Sequence, residues 1–233
     1  ELQYSLFDEA ELVIVDVPLG HEVHTEWSFT SQIERRSPDG FLTTGNARPP
    51  RSAVDDDGND VLEQVSRRDE RPLPVALDGL SRAIVDFGPI EYPEHARLVL
   101  TAWSVYEDLS ELQRPPFSAG TTIETLDEND EWQVRLVVGK NPGDRRTWAV
   151  DIGGILSTEN TRIRIAMAHQ PIGLDVLDQV LFDDSPPVEI QETRVSASSA
   201  RLEHGGSTNF TYTSTTQRIH SDDAHNPIIE DAM

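Results

Sequence analysis

The stretch Arg97–Tyr106 reads RLVLTAWSVY, a long and nearly continuous apolar run. A run of this length, rich in β-branched and aromatic residues, is typical of a strand whose two faces are both buried. It is too short to cross a membrane as a helix. No other apolar run of the chain approaches the length of a membrane span either. It therefore predicts the central strand of a sheet.

Short strand candidates separated by turns follow this run. Arg162–Ile165 alternates strictly between arginine and isoleucine, which predicts one wet face. Short strands at regular spacing indicate an antiparallel sandwich or barrel. We therefore predict an all-β fold, an antiparallel β-sandwich of the jelly-roll or galactose-binding-like kind. The strand candidates in this half are Thr121–Leu126, Trp132–Val138, Thr147–Ile152, Thr161–Ala168 and Val176–Phe182.

Weaker β-rich stretches precede the run. We expect Glu11–Val17 and His21–Phe29 to form a hairpin across the Pro18-Leu19-Gly20 turn, and Ala83–Phe87 to be a strand. Thr30–Pro50 is polar and rich in Gly, Pro and Arg, so it predicts a loop. We divide the chain into a small β-rich subdomain over residues 1–88, a sandwich domain over 89–185, and a polar β extension and tail over 186–233.

The charge of the chain limits its partners. Among 233 residues, 42 acidic side chains oppose 19 basic ones, and Lys140 is the single lysine. Salt shortens the range of the resulting repulsion from about 10 Å at 0.1 M to about 3 Å at 1 M. The composition favours a salt-adapted, halophilic protein, with an ordinary acidic extracellular protein as the alternative. It disfavours nucleic acid and anionic membranes, because phosphate contacts need clustered basic residues.

No motif assigns a catalytic residue. The chain has no cysteine, which excludes disulfides, thiolate zinc sites and cysteine nucleophiles. It contains no G-x-S-x-G and no phosphate-binding glycine loop. With 42 acids in the chain, a pair of carboxylates carries no signal for acid–base chemistry.

One acidic loop suggests a metal. The segment Asp55–Asp60 reads DDDGND, and Asp55, Asp57 and Asn59 have the alternate spacing of calcium ligands. Ser66 stands where an EF-type loop starting at Asp55 would place its bidentate glutamate. Calcium is therefore the one cofactor we consider, and a solvated turn is the alternative.

Aromatic residues suggest a second kind of site. Trp27 and Trp132 are candidates for stacking on the sugar rings of a glycan. Tryptophans at strand positions also serve as core residues, and this alternative applies to both. A structure that buried every tryptophan would remove the support for glycan stacking.

Several phrases of the sequence resemble one family. In their order along the chain they resemble the region downstream of the FG-GAP/VCBS propeller in cartilage-acidic-protein-like (ASPIC and UnbV) secreted proteins, over roughly residues 8 to 200. The resemblance implies an extracellular or periplasmic protein and establishes no catalytic residue. This chain has no propeller blade repeats, so the calcium loops of those propellers are not carried over. The phrases include Glu11–His24, Ala47–Ala53, Asp57–Val61, Arg67–Asp69, Leu98–Ser104, Arg162–Ala168 and Leu177–Asp183.

Together these features predict a non-catalytic extracellular or cell-surface module of a salt-adapted protein. Its expected partner is a protein or a glycan at the cell surface, with homo- or hetero-assembly through the C-terminal stretch. One alternative is an accessory or catalytic domain of a secreted enzyme that acts on polysaccharide. Another is a structural subunit of a surface filament or layer, in which a neighbouring chain would fill an open edge in residues 188–216.

Overall fold

A computed structural model describes ten segments of the chain. They are residues 11–25, 40–75, 80–105, 120–138, 143–167, 169–170, 173–196, 199–203, 209–213 and 219–221. The chain divides into two compact units. The larger unit comprises Val17–Glu189, and the smaller comprises Glu1–Asp16 with Ile190–Met233.

The described chain is all-β and antiparallel, as predicted. Its helical content is the single-turn helix α1, Leu62–Ser66, and a 3₁₀ turn at Pro93–His95. Among the described residues, no helix is long and apolar enough to span a membrane. The strands are β1 Glu11–Asp16, β2 Glu22–Thr25, β3 Phe41–Thr44, β4 Ser52–Val54, β5 Arg82–Asp86, β6 Arg97–Val105, β7 Thr121–Leu126, β8 Trp132–Val138, β9 Arg146–Asp151, β10 Arg162–Ala166, β11 His169–Gln170, β12 Gly173–Asp183, β13 Gln191–Ser196, β14 Ser199–Glu203, β15 Asn209–Thr213 and β16 Ile219–Ser221.

Two antiparallel sheets form most of the larger unit. One has five strands in the order β4-β5-β10-β7-β8, and the other has four in the order β11-β12-β6-β9. Strand β6 lies between β12 and β9, so the predicted central strand is confirmed. Its residues from Arg97 to Ala102 are all buried, which explains why the sequence there lacks the alternation of a half-exposed strand.

One cluster of buried apolar side chains draws on both sheets. Val85, Ile123 and Ile163 come from the five-stranded sheet, whereas Leu100 and Phe182 come from the four-stranded one. On β10 the isoleucines are buried and the arginines are not, as the alternation predicted. The core is therefore built by period-two patterning on the larger sheet and by continuous burial on β6.

The units do not separate at the predicted boundaries. Strands β4 and β5 precede residue 88, yet they pair into the same sheet as β7, β8 and β10. Residues 186–189 belong to the larger unit. The composition of the chain changes at residues 88 and 185, but long-range strand pairing crosses the first of these positions.

The predicted hairpin between the first two strands is wrong. Strand β1 pairs with β13, from Glu11 opposite Ser196 to Asp16 opposite Gln191, and β2 pairs with β3. A turn does close at the expected place, where the N–H of His21 donates to the carbonyl of Pro18. The β-pattern identified both strands, but strand pattern alone does not identify a partner at long range.

The smaller unit contains the β1–β13 ladder and a sheet in the order β14-β15-β16. Leu12 lies opposite Val195, and Ile14 lies two residues further along the same face of β1. All three side chains are exposed, at 61%, 48% and 43% for Leu12, Val195 and Ile14. The predicted assembly through the C-terminal stretch concerns this unit and stays a prediction.

Candidate functional site

A buried ion pair anchors one end of the four-stranded sheet. Asp183, at the end of β12, is fully buried, and one oxygen of its carboxylate lies 3.3 Å from Nη1 of Arg97. Its other oxygen accepts the backbone N–H groups of Gly45 and Asn46 at 2.9 and 2.6 Å. The hydroxyl and N–H of Ser185 also donate to Asp183. This carboxylate therefore fixes the loop after β3 against β12.

The next residue fixes the same loop at a second point. Asp184 accepts a hydrogen bond from Nη1 of Arg48 at 2.7 Å and another from the N–H of Glu91 at 2.7 Å. Nη2 of Arg48 donates to the carbonyl of Pro89 at 3.0 Å, and its guanidinium lies 4.8 Å from the ring centre of Phe182. Arg48 thus joins the 45–51 loop to both the end of β12 and the 88–91 loop.

A second arginine of this loop lies against a glycine. Gly88 has a φ of +69°, and a Cβ built on it would lie 2.7 Å from Cζ of Arg51 and 2.9 Å from its Nε. The guanidinium of Arg51 therefore rests on the backbone of Gly88, where any side chain would displace it. In the described part of the chain, no carboxylate forms an ion pair with Arg51.

These groups surround an open pocket of about 690 Å³, which we call the arginine pocket. That volume falls in the range of about 300–1,000 Å³ that is usual for small-molecule sites. Its floor is apolar, because Phe87 and Ile90 are buried, and Phe87 stacks on Phe182 with ring centres 4.6 Å apart. The lining residues are Asn46, Arg48, Pro49, Arg51, Phe87, Pro89, Ile90, Glu91 and Asp184.

The charged side chains of the arginine pocket differ in whether they form ion pairs. Burial alone would raise the pKa of Asp184, but the hydrogen bonds from Arg48 and Glu91 and the positive charge of Arg48 outweigh it and lower that pKa. Asp184 and Arg48 therefore neutralise each other in the wall of the pocket. Glu91 is exposed and accepts a hydrogen bond from the hydroxyl of Tyr92, which raises the pKa of Tyr92. Among the described residues, the positive charge of the pocket that has no acidic partner belongs to Arg51.

Sequence reasoning did not select this site. Arg48 and Arg51 entered only as part of a family phrase, and Arg48 lies in the stretch that was expected to be a loop. A signal was present, however, because residues 40–54 contain two arginines and no acid in a chain with 42 acids. The prolines at 49 and 50 restrict the backbone between those arginines.

The predicted calcium residues form a tight turn at an edge of the five-stranded sheet. One oxygen of Asp55 accepts the N–H groups of Asp57 and Asn59, and the other accepts the side-chain amide of Asn59. These bonds lower the pKa of Asp55, the side-chain bond from Asn59 contributing most. Among the described residues, no group of three or more acidic or histidine side chains gathers in a geometry that could hold a metal. Calcium at this loop stays a prediction.

Asp127 forms the same turn between β7 and β8. One oxygen accepts the N–H groups of Asn129 and Glu131, and Asp130 has a positive φ where the first loop has Gly58. The backbone bonds from Glu131 and Asn129 lower the pKa of Asp127. A hairpin in which an aspartate caps its own turn therefore occurs twice on this sheet.

Of the two residues predicted to stack on a glycan, the structure describes one. Trp27 lies outside the described residues. Trp132 is half-buried at the start of β8, and the guanidinium of Arg164 lies 5.0 Å from its ring centre. Arg164 also donates to the carboxylate of Glu124 from Nε at 2.8 Å. One face of the indole is thus covered by a paired arginine, and stacking on Trp132 stays a prediction.

The other tryptophans differ in burial. Trp148 is buried in the core, whereas Trp103 on β6 is partly exposed. The structure therefore does not place every tryptophan in the core.

A second buried acid lies at a bulge of β12. The register against β6 shifts between Leu177 and Gln179, and Asp178 between them is fully buried. One of its oxygens accepts the N–H of Glu70 at 3.0 Å, but the other has no hydrogen-bond partner. Nε of Arg145 lies 3.9 Å from that oxygen and is also unpartnered. Burial raises the pKa of Asp178, and the charge of Arg145 opposes the rise.

The chain matches no family model, no curated protein and no solved structure.

Proposed function

We propose that the chain is a non-catalytic extracellular or cell-surface binding module of a salt-adapted protein, and that it holds an anionic group of a protein or glycan partner in the arginine pocket. The observation that carries this proposal is Arg51, a guanidinium without an acidic partner in the described part of the chain, set in a pocket with an apolar floor. Guanidinium groups bind carboxylate, sulfate and phosphate through paired N–H donors.

The hydrogen bonds and ion pairs of the buried acids favour a binding role over catalysis. Asp183 and Asp184 both accept several hydrogen bonds and face arginines, so both carboxylates are already engaged in contacts that hold the loops together. Within the described lining of the pocket there is no serine, histidine or cysteine that could act as a nucleophile. The described lining therefore favours the binding of a charged ligand.

The sandwich architecture is part of the same proposal. The five- and four-stranded antiparallel sheets share one buried cluster, which is the arrangement expected of a β-sandwich of the jelly-roll or galactose-binding-like kind. In such folds, loops at the ends of the strands carry binding sites. The arginine pocket is built from such loops, after β3, after β5 and after β12.

Acetate is the simplest probe for this proposal. We expect it to shift the side-chain Nε–H NMR signal of Arg51 saturably in about 2 M KCl, and to leave the signal of the exposed Arg68 unchanged. Equal and linear shifts of both signals would count against a site in the pocket. A turnover assay that showed hydrolysis of a glycan or peptide, abolished by one point substitution in this chain, would overturn the non-catalytic role.

A further inference from the structure

The hydrogen-bond donors left free in the arginine pocket restrict what can bind there. Pro49 and Pro89 have no N–H. Most other backbone N–H groups of the lining already donate elsewhere within the chain. Those engaged are Asn46 to Asp183, Arg48 to Phe182, Arg51 to Asp86, Phe87 to Thr161 and Glu91 to Asp184.

A peptide that docks as an added strand needs unpaired backbone groups, and this pocket offers few of them. Within the described part of the chain, the donors without a partner are instead the side-chain N–H groups of Arg51, those of Arg48 not bound to Asp184 and Pro89, and the amide of Asn46. Such donors recognise oxygen acceptors, and a planar guanidinium matches the two oxygens of a carboxylate.

The hydrogen-bond acceptors of the pocket restrict the class of ligand further. Glu91 is exposed and is one of the lining residues, so the negative charge of its carboxylate opposes a second negative charge on the ring that the pocket holds. The same carboxylate accepts hydrogen bonds from hydroxyl groups, and the amide of Asn46 both donates and accepts. A ligand with one carboxylate and several hydroxyls satisfies all of these groups, whereas a phosphate ester or an acidic peptide segment satisfies only the arginines.

We infer that the arginine pocket binds a uronic acid residue of an acidic glycan, with the carboxylate on Arg51 and ring hydroxyls on Glu91 and Asn46. This inference rests on the proposed function and specifies its ligand. The volume of about 690 Å³ accommodates one sugar ring with its carboxylate.

Titration calorimetry of the full chain with trigalacturonate tests the inference, in about 2 M KCl so that long-range charge effects are screened. We expect saturable binding to the wild type that is at least about tenfold weaker for R51Q and for the methyl-esterified trisaccharide, because each removes one side of the charged contact. R68Q is the matched control, since Arg68 is exposed and lies outside the pocket lining. Its affinity should equal that of the wild type.

The variant E91Q tests the contact with the ring hydroxyls separately from the contact between Arg51 and the ligand carboxylate. It replaces the carboxylate that is inferred to accept the ring hydroxyls. Because triglutamate has no hydroxyl groups, E91Q should weaken the binding of trigalacturonate more than that of triglutamate. Unchanged urea midpoints would show that each variant folds as the wild type does. Equal affinity of the acidic and esterified sugars, or of wild type and R51Q, would overturn the inference.

The remaining outcomes distinguish this inference from the proposed function. If triglutamate binds in an Arg51-dependent manner and trigalacturonate does not, the glycan inference is wrong and an anion-binding module remains. If neither ligand binds, and acetate also fails to shift the Arg51 signal, both the inference and the proposed function are wrong.

Discussion

The pair Arg97–Asp183 shows how single residues hold the loops of the binding site. Both side chains are buried, at 6% and 0% exposure, and Nη1 of Arg97 also donates to the carbonyls of Thr43 and Ser185. Burial lowers the pKa of Arg97, and the charges of Asp183 and Asp151 oppose that shift. A buried charge of this kind is tolerated only because its partners surround it.

Removing one partner should therefore be costly. For D183A we expect a loss of about 3–5 kcal/mol of unfolding free energy, because Arg97 is left buried without its carboxylate. The matched control is D56A, which breaks the more exposed pair with Arg82 and should cost about 1 kcal/mol or less. Urea unfolding at constant salt measures both. Equal losses for the two variants would contradict the anchoring role of Asp183.

Asp178 gives a prediction about pH. Its pKa in the folded chain is raised above the ordinary value of 3.8, chiefly by burial. The contribution of this group to the free energy of unfolding is therefore fully present below pH 3.8. It is lost as the pH rises through the raised pKa of the folded chain. The variant D178N lacks this titration, so the stability of D178N relative to wild type should increase across the same interval.

Urea unfolding of both proteins at a series of pH values checks this expectation. L177A in the same strand is a control, since it should lower stability by a similar amount at every pH. A difference between wild type and D178N that stayed constant, or that favoured the wild type as pH rose, would show that Arg145 outweighs burial.

Most of these residue-level pairs were beyond the reach of the sequence. Asp183 and Asp184 lie in an apparent turn next to two prolines, and their partners Arg97 and Arg48 are 86 and 136 positions away. No local pattern identifies such partners, because the strand order of two sheets brings them together. The acid-free stretch at residues 40–54 was the one local indication.

At the scale of elements, the loop after β5 sets the geometry of the arginine pocket. Gly88 lies two residues after the end of β5 and has a positive φ. The guanidinium of Arg51 packs against its backbone. Its N–H donates to the side chain of Asp86 at 2.7 Å, which tightens the turn. The backbone angle favours a glycine here, and a side chain at this position would also displace the guanidinium of Arg51.

The variant G88A should lose stability and binding together. The positive φ costs an alanine about 1–2 kcal/mol, and the added methyl group would also displace Arg51. G20A is the matched control, because Gly20 has a φ of +88° with nothing within 4 Å of its Cβ position. We expect similar losses of unfolding free energy from the backbone angle, with trigalacturonate binding weakened in G88A alone. Full binding by G88A would contradict the placement of Arg51.

Elements were predictable where their pattern was strong and local. The central strand β6 and the alternation of β10 followed from hydrophobic periodicity. Pairing was less predictable, because β1 and β2 are close in sequence but bond to β13 and β3. The pattern of a strand fixes its faces, whereas its partner depends on the whole chain.

At the scale of the whole molecule, the acidity is a property of the surface and not of one site. With 42 acids against 19 basic residues, mutual repulsion opposes the compact state when it is not screened. Three buried acids, Asp183, Asp184 and Glu124, form ion pairs with arginines. Salt should therefore stabilise this protein more than a chain of balanced charge.

We expect the urea midpoint of the full chain to rise continuously between about 0.1 M and about 2 M KCl as screening shortens the range of repulsion. Sucrose at matched osmolality is the control, because it strengthens burial without screening charge. A midpoint that did not change with KCl, or that rose equally with sucrose, would contradict the salt adaptation and favour an ordinary acidic protein.

The central claim is that this acidic chain binds its partner at the arginine pocket. A backbone NMR shift map of the ¹⁵N-labelled full chain, titrated with trigalacturonate in about 2 M KCl, tests the location directly. We expect the largest shifts on Asn46, Arg51 and Glu91, with the Asp55 loop and the Trp132 face unchanged. Shifts centred on Trp132, or spread evenly over the surface, would contradict it.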